Sequence, residues 1–125
     1  MTGIVLDTGA LIALERRHRL RAVDLTIAFE AHVRIAVPTG CVAQAWRDGA
    51  RQVELARLLR SSDVELRPLD GSDARRVGES LGRTGTSDVV DAHVALVAVR
   101  DGRTIFTSDP DDLRVLAPGA RIEAV

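Results

Sequence analysis

Short apolar runs alternate with helix-like stretches along this chain. That alternation predicts an α/β fold, a mostly parallel sheet of four to five strands with helices on both faces. Three observations carry the prediction. Ile4-Val5-Leu6 is a wholly apolar run, too short for a helix and closed by the turn chemistry of Asp7-Thr8-Gly9. A second strand-like run, residues 33–37, apolar apart from Arg34, ends at Pro38. A third, Thr104 to Thr107, follows the tight turn Asp101-Gly102 and ends at Ser108-Asp109-Pro110.

The elements follow in order. Ile4–Leu6 reads as a buried strand, and the helix-like Ala10 to Glu15 follows it across the capping turn. Arg16 to Arg21 is a basic turn. Val23 to His32 has the pattern of a second helix, with Leu25, Ile27, Ala28 and Phe29 as its apolar members. Strand two covers Val33 to Val37 and is stopped by Pro38 and Thr39, Thr39 being a candidate N-cap. The next helix holds Val42 to Trp46. Gly49 interrupts, and Arg51 to Leu59 forms an amphipathic helix. Val64-Glu65-Leu66-Arg67 alternates as a half-exposed strand does. Asp70 to Leu81 is a further helix and Gly82 to Gly85 a loop. Thr86 or Ser87 then caps a helix running to about Arg100. After strand Thr104 to Thr107, Pro110 to Leu116 is a short helix with Asp109 near its N-cap, and residues 120–125 close with a last strand.

At 125 residues the expectation is one domain over 1–125. A hydrophobic fraction of 46% against 28% charged residues is that of an ordered globular chain. All 17 basic residues are arginine, so mechanisms that need a lysine are excluded. Residues 1–60 carry a net charge of +3 and residues 61–125 a net charge of −4, a separation suited to an acidic site that handles a polyanion. Cys41 is the single cysteine, which rules out an intrachain disulfide and reads as a small buried hydrophobe. The N-terminal stretch lacks the pattern of a signal peptide, and no run has the ~18 apolar residues of a membrane span. A cytoplasmic location without membrane attachment is expected.

The acids carry the chemistry. The helix after Ser87 is apolar nearly all round, from Val89 to Val99, yet it contains Asp91 and begins at Asp88. Asp88 and Asp91 lie three apart and share a face. Helix-dipole stabilisation accounts for Asp88. It accounts less well for Asp91, which stands within apolar sequence and is costly to desolvate without a partner. Asp7 and Asp109 each follow a strand. In a parallel sheet both strand ends lie on one edge, within reach of that helix's first turn. Asp7, Asp91 and Asp109 are therefore expected to converge, with hard oxygen donors suited to Mg²⁺ or Mn²⁺. Asp112 is a further candidate, whereas Asp111 reads as a surface charge at a helix start. Thr8, Thr107 and Ser108 are candidates to orient carboxylates or water. Arg16, Arg17 and Arg47 could hold a phosphate backbone or be ordinary surface. Trp46 could stack on a base or belong to the core or an interface. His93 belongs to the core.

Three motifs in order, IVLDTGALIAL, DVVDAHVALVA and IFTSDPDDL, resemble those of PIN-domain ribonucleases, and the short layout resembles the VapC-type toxins of bacterial toxin–antitoxin pairs. No motif is specific alone; the ordered set, spanning nearly the whole chain, is. The resemblance implies a metal-dependent endoribonuclease that hydrolyses RNA. Asp7, Asp91 and Asp109 would be its catalytic and metal-binding acids, Asp88 and Asp112 accessory ones, with Asp7 the candidate bridge between two ions. It further implies a cognate antitoxin and a homodimer. In such a pair the partner's helix or tail would lie in a groove, for which Leu11, Leu14, Leu20, Val23 and Ile27 are candidates unless they are core. The sequence departs from the family in one place. Where a glutamate is usual in the helix after strand two, this chain has Gln44, which keeps an oxygen donor but loses a charge. That departure leaves open a catalytically weak or inactive binding module. Receiver-type and haloacid-dehalogenase-type proteins also hold acidic pockets in α/β sheets, but they rely on a lysine that this chain lacks.

Overall fold

A computed structural model describes residues 3–16 and 30–125. Five strands form one sheet: β1 (Ile4–Leu6), β2 (Ile35–Pro38), β3 (Val64–Arg67), β4 (Thr104–Thr107) and β5 (Ile122–Ala124). Six helices are described: α1 (Thr8–Glu15), α2 (Thr39–Ala45), α3 (Val53–Arg60), α4 (Gly71–Thr84), α5 (Val89–Asp101) and α6 (Pro110–Leu116). The strand order is β3-β2-β1-β4-β5 and every pairing is parallel. This is the α/β sheet the alternation predicts.

The order matters for function. The chain winds outward from β1 through β2 to β3, then returns to the other side of β1 with β4 and β5. The winding direction therefore reverses between β1 and β4. At such a reversal the loops leaving the carboxyl ends of the two strands diverge and open a crevice, where ligands bind in open α/β sheets. Register places Leu6 beside Phe106, so the residues just beyond, Asp7 and Thr107 onward, flank that crevice.

The sheet's apolar residues close the core. Ile4, Val5, Leu6, Ile35, Ala36, Val37 and Ile105 are buried, and they pack against Leu11, Leu55, Leu58, Val94, Val97 and Leu113 from the helices. β3 is half exposed, but not as its alternation predicts: Leu66 is exposed, while Glu65 and Arg67 are partly buried in ion pairs with Arg103 and Asp101. Among the described residues, no helix is long and apolar enough to cross a membrane.

Several boundaries differ from expectation. Strand two begins at Ile35 and includes Pro38, whose missing N–H is tolerated at a strand end. Thr39 does not cap α2: it is the first helical residue, and no side chain caps that end. α4 runs on through Gly82 to Thr84 instead of breaking at Leu81, and ends with Gly85 in the left-handed conformation that suits glycine. α5 is capped by Asp88, not by Thr86 or Ser87. Nor is α5 buried all round, because Val89 and Val99 are exposed. The proposed basic turn and most of the helix expected over 23–32 lie outside the described residues, as do Arg17, Leu20, Val23 and Ile27.

Candidate acidic active site

Asp7 follows β1 directly and extends its pairing, its N–H donating to the Phe106 carbonyl at 3.2 Å. Its carboxylate caps α1 by accepting from the Ala10 N–H at 2.9 Å. The side chain is buried, and burial pushes its pKa up. Hydrogen bonds from the Thr107 hydroxyl and from backbone amides offset part of that rise, while Asp109 adds to it. Thr107 is fully buried, and its oxygen also accepts from the Asp109 N–H at 2.9 Å. One hydroxyl therefore ties the acid after β1 to the acid after β4. The hydroxyl hydrogen is directed to Asp7 because the lone pairs face Asp109's amide.

The second part of the site comes from α5. Asp88 accepts from the Asp91 N–H at 2.9 Å, an N-cap that holds the first turn. Asp91, half-buried, faces the other acids. Burial raises its carboxyl to about 6, reinforced by repulsion from Asp88, Asp7, Asp112 and Asp109 in that order. All five leading influences on Asp91 act in the same direction. The five acids chosen from sequence thus share one electrostatic cluster. Asp109 sits at the N-cap position of α6, but its side chain makes no capping bond. Beside the cluster, a concavity of about 270 Å³ is lined by Ser87, Asp88, Asp91, Asp112, Val115 and others.

α2 brings the remaining candidates. The Thr8 hydroxyl donates to the Gln44 amide oxygen, so Gln44 reaches the start of α1. Cys41, fully buried beneath, hydrogen-bonds Thr8 and feels the charges of Asp7 and Asp91. Burial pushes its thiol up to about 12, so it stays protonated and is no nucleophile.

Other candidates fall away from the cluster. Asp111 is exposed and pairs with Arg114 at 2.5 Å. Arg47 donates to the Ala43 and Trp46 carbonyls, closing the end of α2. Trp46 is exposed and its ring lies against Gly49. His93 and Leu11 are buried. Arg16 is exposed.

Two contributors escaped the sequence reading. A Cβ at Gly9 would stand 1.9 Å from Ser108 Oγ and 2.6 Å from Ser108 Cβ. Only glycine lets α1 approach the loop after β4 closely enough to bring Asp7 and Asp109 together. Asp88's capping role was legible in its position three residues ahead of Asp91. Gly9 left no such local signal.

Among the described residues, no group of three His, Cys, Asp or Glu side chains is arranged to hold a metal ion as it stands. The acids form an electrostatic cluster rather than a closed cage. Their donor chemistry nonetheless fits a hard dication. Mg²⁺ keeps several waters and is commonly held by only one or two carboxylates, and a cation would relieve the repulsion that raises Asp91.

Comparison with known proteins agrees with this architecture. A family model described as PIN domain matches residues 4–117. The chain belongs to the PIN domain family. PIN domains are generally nucleases. Among solved structures, this PIN domain is similar to a chain in the crystal structure of VapBC2 from Rickettsia felis bound to a DNA fragment from their promoter. The TM-score is 0.66 at 16% identity, covering 98% of both chains. At that identity the likeness is one of fold. No curated protein matches the PIN domain described here.

Proposed function

We propose that this chain is a Mg²⁺- or Mn²⁺-dependent endoribonuclease that hydrolyses RNA phosphodiester bonds. The observation that carries the reading is the convergence of Asp7, Asp88, Asp109 and Asp112 on Asp91 at the carboxyl edge of the sheet, close enough for each to repel its charge. Natural sequences keep such costly, uncompensated clusters where chemistry uses them. Asp7, Asp91 and Asp109 are the proposed metal-binding and catalytic acids, with Asp88 and Asp112 in support. A bound dication would supply a water of lowered pKa and neutralise charge developing on the phosphoryl group.

The protein's own part is positioning. Thr107 and the α1 amides fix Asp7. The Asp88 cap fixes the turn that presents Asp91. Thr8 and Gln44 hold the α1–α2 side. No thiol or imidazole is offered as nucleophile or base, since Cys41 stays protonated and His93 is enclosed.

Membership of the PIN family and the fold likeness to a VapBC2 chain support a further step, a toxin held by a cognate antitoxin, and the proposal extends to a homodimer in the cytoplasm. Gln44 favours a second reading, a module that binds RNA without cutting it, because its amide oxygen is engaged by Thr8 and brings no charge.

One assay separates the readings. The purified chain is incubated with RNA and Mg²⁺, Mn²⁺ or EDTA, beside Asp7→Asn. The nuclease reading expects cleavage that needs the metal and falls by about 100-fold or more in Asp7→Asn, the usual scale for losing a charge-stabilising group. Cleavage indifferent to that substitution would sink it. RNA binding without cleavage by the wild type would favour the second reading.

A further inference from the structure

We infer that the groove between α4 and the α5–α6 face is the track that holds the RNA backbone beside the acidic cluster. This rests on the ribonuclease reading and specifies where its substrate lies. An acidic site repels the polyanion it must cut, and residues 61–125 carry a net charge of −4. A cationic hold next to the acids is therefore required. The arginines around the rest of α5 do not provide it: Arg100 is committed to Asp73, Arg67 to Asp101 and Arg103 to Glu65.

α4 does. Arg75, Arg76 and Arg83 are exposed on it and line a groove of about 560 Å³. Among the described residues none of the three makes a hydrogen bond or a close ion pair, although Arg76 acts on Asp73 at longer range. Glu79 is the single acid on that wall, which leaves it at +2. From Arg75 to Arg83 the helix rises roughly 12 Å, enough to meet more than one backbone phosphate. Ser72 and Ser80 add hydroxyl donors along the same wall. The opposite side is apolar, formed by Leu96, Val99 and Leu116 on α5 and α6, and offers bases a surface without aromatic stacking. Leu116 also lines the concavity that contains Asp88, Asp91 and Asp112, so the two depressions adjoin at that side chain. A strand lying on the arginines leads directly to the carboxylates.

The test is equilibrium binding of a fluorescein-labelled 2′-O-methyl RNA oligonucleotide in EDTA, where nothing is cut, across a salt series. The wild-type chain is compared with the triple variant Arg75→Gln, Arg76→Gln, Arg83→Gln. The expected result is at least a tenfold loss of affinity for the variant, with the slope of log K against log salt shallower by about 2, from ~0.7 per lost single-strand phosphate contact. Thermal melting of the variant should match the wild type, because the three side chains are exposed. Wild-type affinity and slope in the variant would overturn the inference, whatever the cleavage assay shows. Unchanged RNA binding with altered sedimentation would do the same and give the groove to a second copy of the chain. Conversely, loss of binding in the variant with no metal-dependent cleavage by the wild type would keep the track and reject the nuclease.

Discussion

At the scale of the residue, Asp91 shows what a cluster of acids costs in stability. Its carboxyl is raised from the ordinary value near 3.8 to about 6. Between those values the folded protein binds more protons than the unfolded chain, so stability falls as pH rises through that window. Replacing Asp91 by Asn removes the charge while keeping the shape. In EDTA at pH 7 the variant should be more stable by about 1–2 kcal/mol, the cost of that rise to about 6 discounted for half-burial. The gain should vanish below pH 4, where the carboxyl is protonated in both states. Denaturant melts at pH 4 and pH 7 check this. Equal stability at both would mean that the acids do not repel. The same variant should lose cleavage and any Mn²⁺-induced rise in Tm. Sequence alone marked Asp91 as an acid in apolar surroundings. The size of its perturbation was not legible, because four of the charges that cause it come from three separate loops and helix starts.

Elements set the distances between those charges. α1, α5 and α6 all begin at one edge of the sheet, each with an aspartate at its N-cap position, Asp7, Asp88 and Asp109. Capping chemistry and site chemistry thus use the same residues, and a sequence reading of caps comes close to a reading of the site. It chose Thr86 or Ser87 over Asp88 because local preference ranks these residues nearly equally and only the register of α5 against the sheet decides. The closeness of α1 to the loop after β4 depends on Gly9. Gly9→Ala should destabilise the fold by about 1–3 kcal/mol through overpacking against Ser108 and reduce cleavage beyond that loss. Adding Ser108→Gly, which removes the atoms at 1.9 and 2.6 Å, should restore a substantial part of both. Failure of the double variant to recover either stability or activity would show that the contact is not what Gly9 protects.

Across the whole molecule, the two edges of the sheet divide the work. The carboxyl edge gathers unpaired acids. At the amino edge, Glu65 of β3 meets Arg34, which precedes β2, and Arg103, which precedes β4. Arg103 reaches it at 3.1 Å across the positions of β2 and β1. Partial burial works against Glu65's ionisation, but Arg34 and Arg103 outweigh it and hold its pKa below the usual glutamate value. A lowered carboxyl stabilises the fold above its unfolded pKa and loses that contribution as pH falls through the folded one. The two edges therefore respond to pH with opposite signs. Arg103→Met should cost about 1–2 kcal/mol, less than a fully buried pair because Glu65 is partly exposed. The cost should shrink in acid, and cleavage per folded molecule should be unchanged. A loss of activity larger than the loss of folded protein would contradict this separation of the edges.

The sequence by itself determined the parallel α/β class and singled out the acids that cluster at one sheet edge, because strand–helix alternation, capping aspartates and apolar periodicity are local properties of adjacent residues. Only the tertiary structure decided the reversal of winding between β1 and β4, the Thr107 link between Asp7 and Asp109, the close approach of Gly9 to Ser108, and the groove lined by Arg75, Arg76 and Arg83 beside the concavity that holds Asp91. Each of these depends on which distant elements become neighbours. Strand order and helix register decide that, and no window of sequence contains both partners.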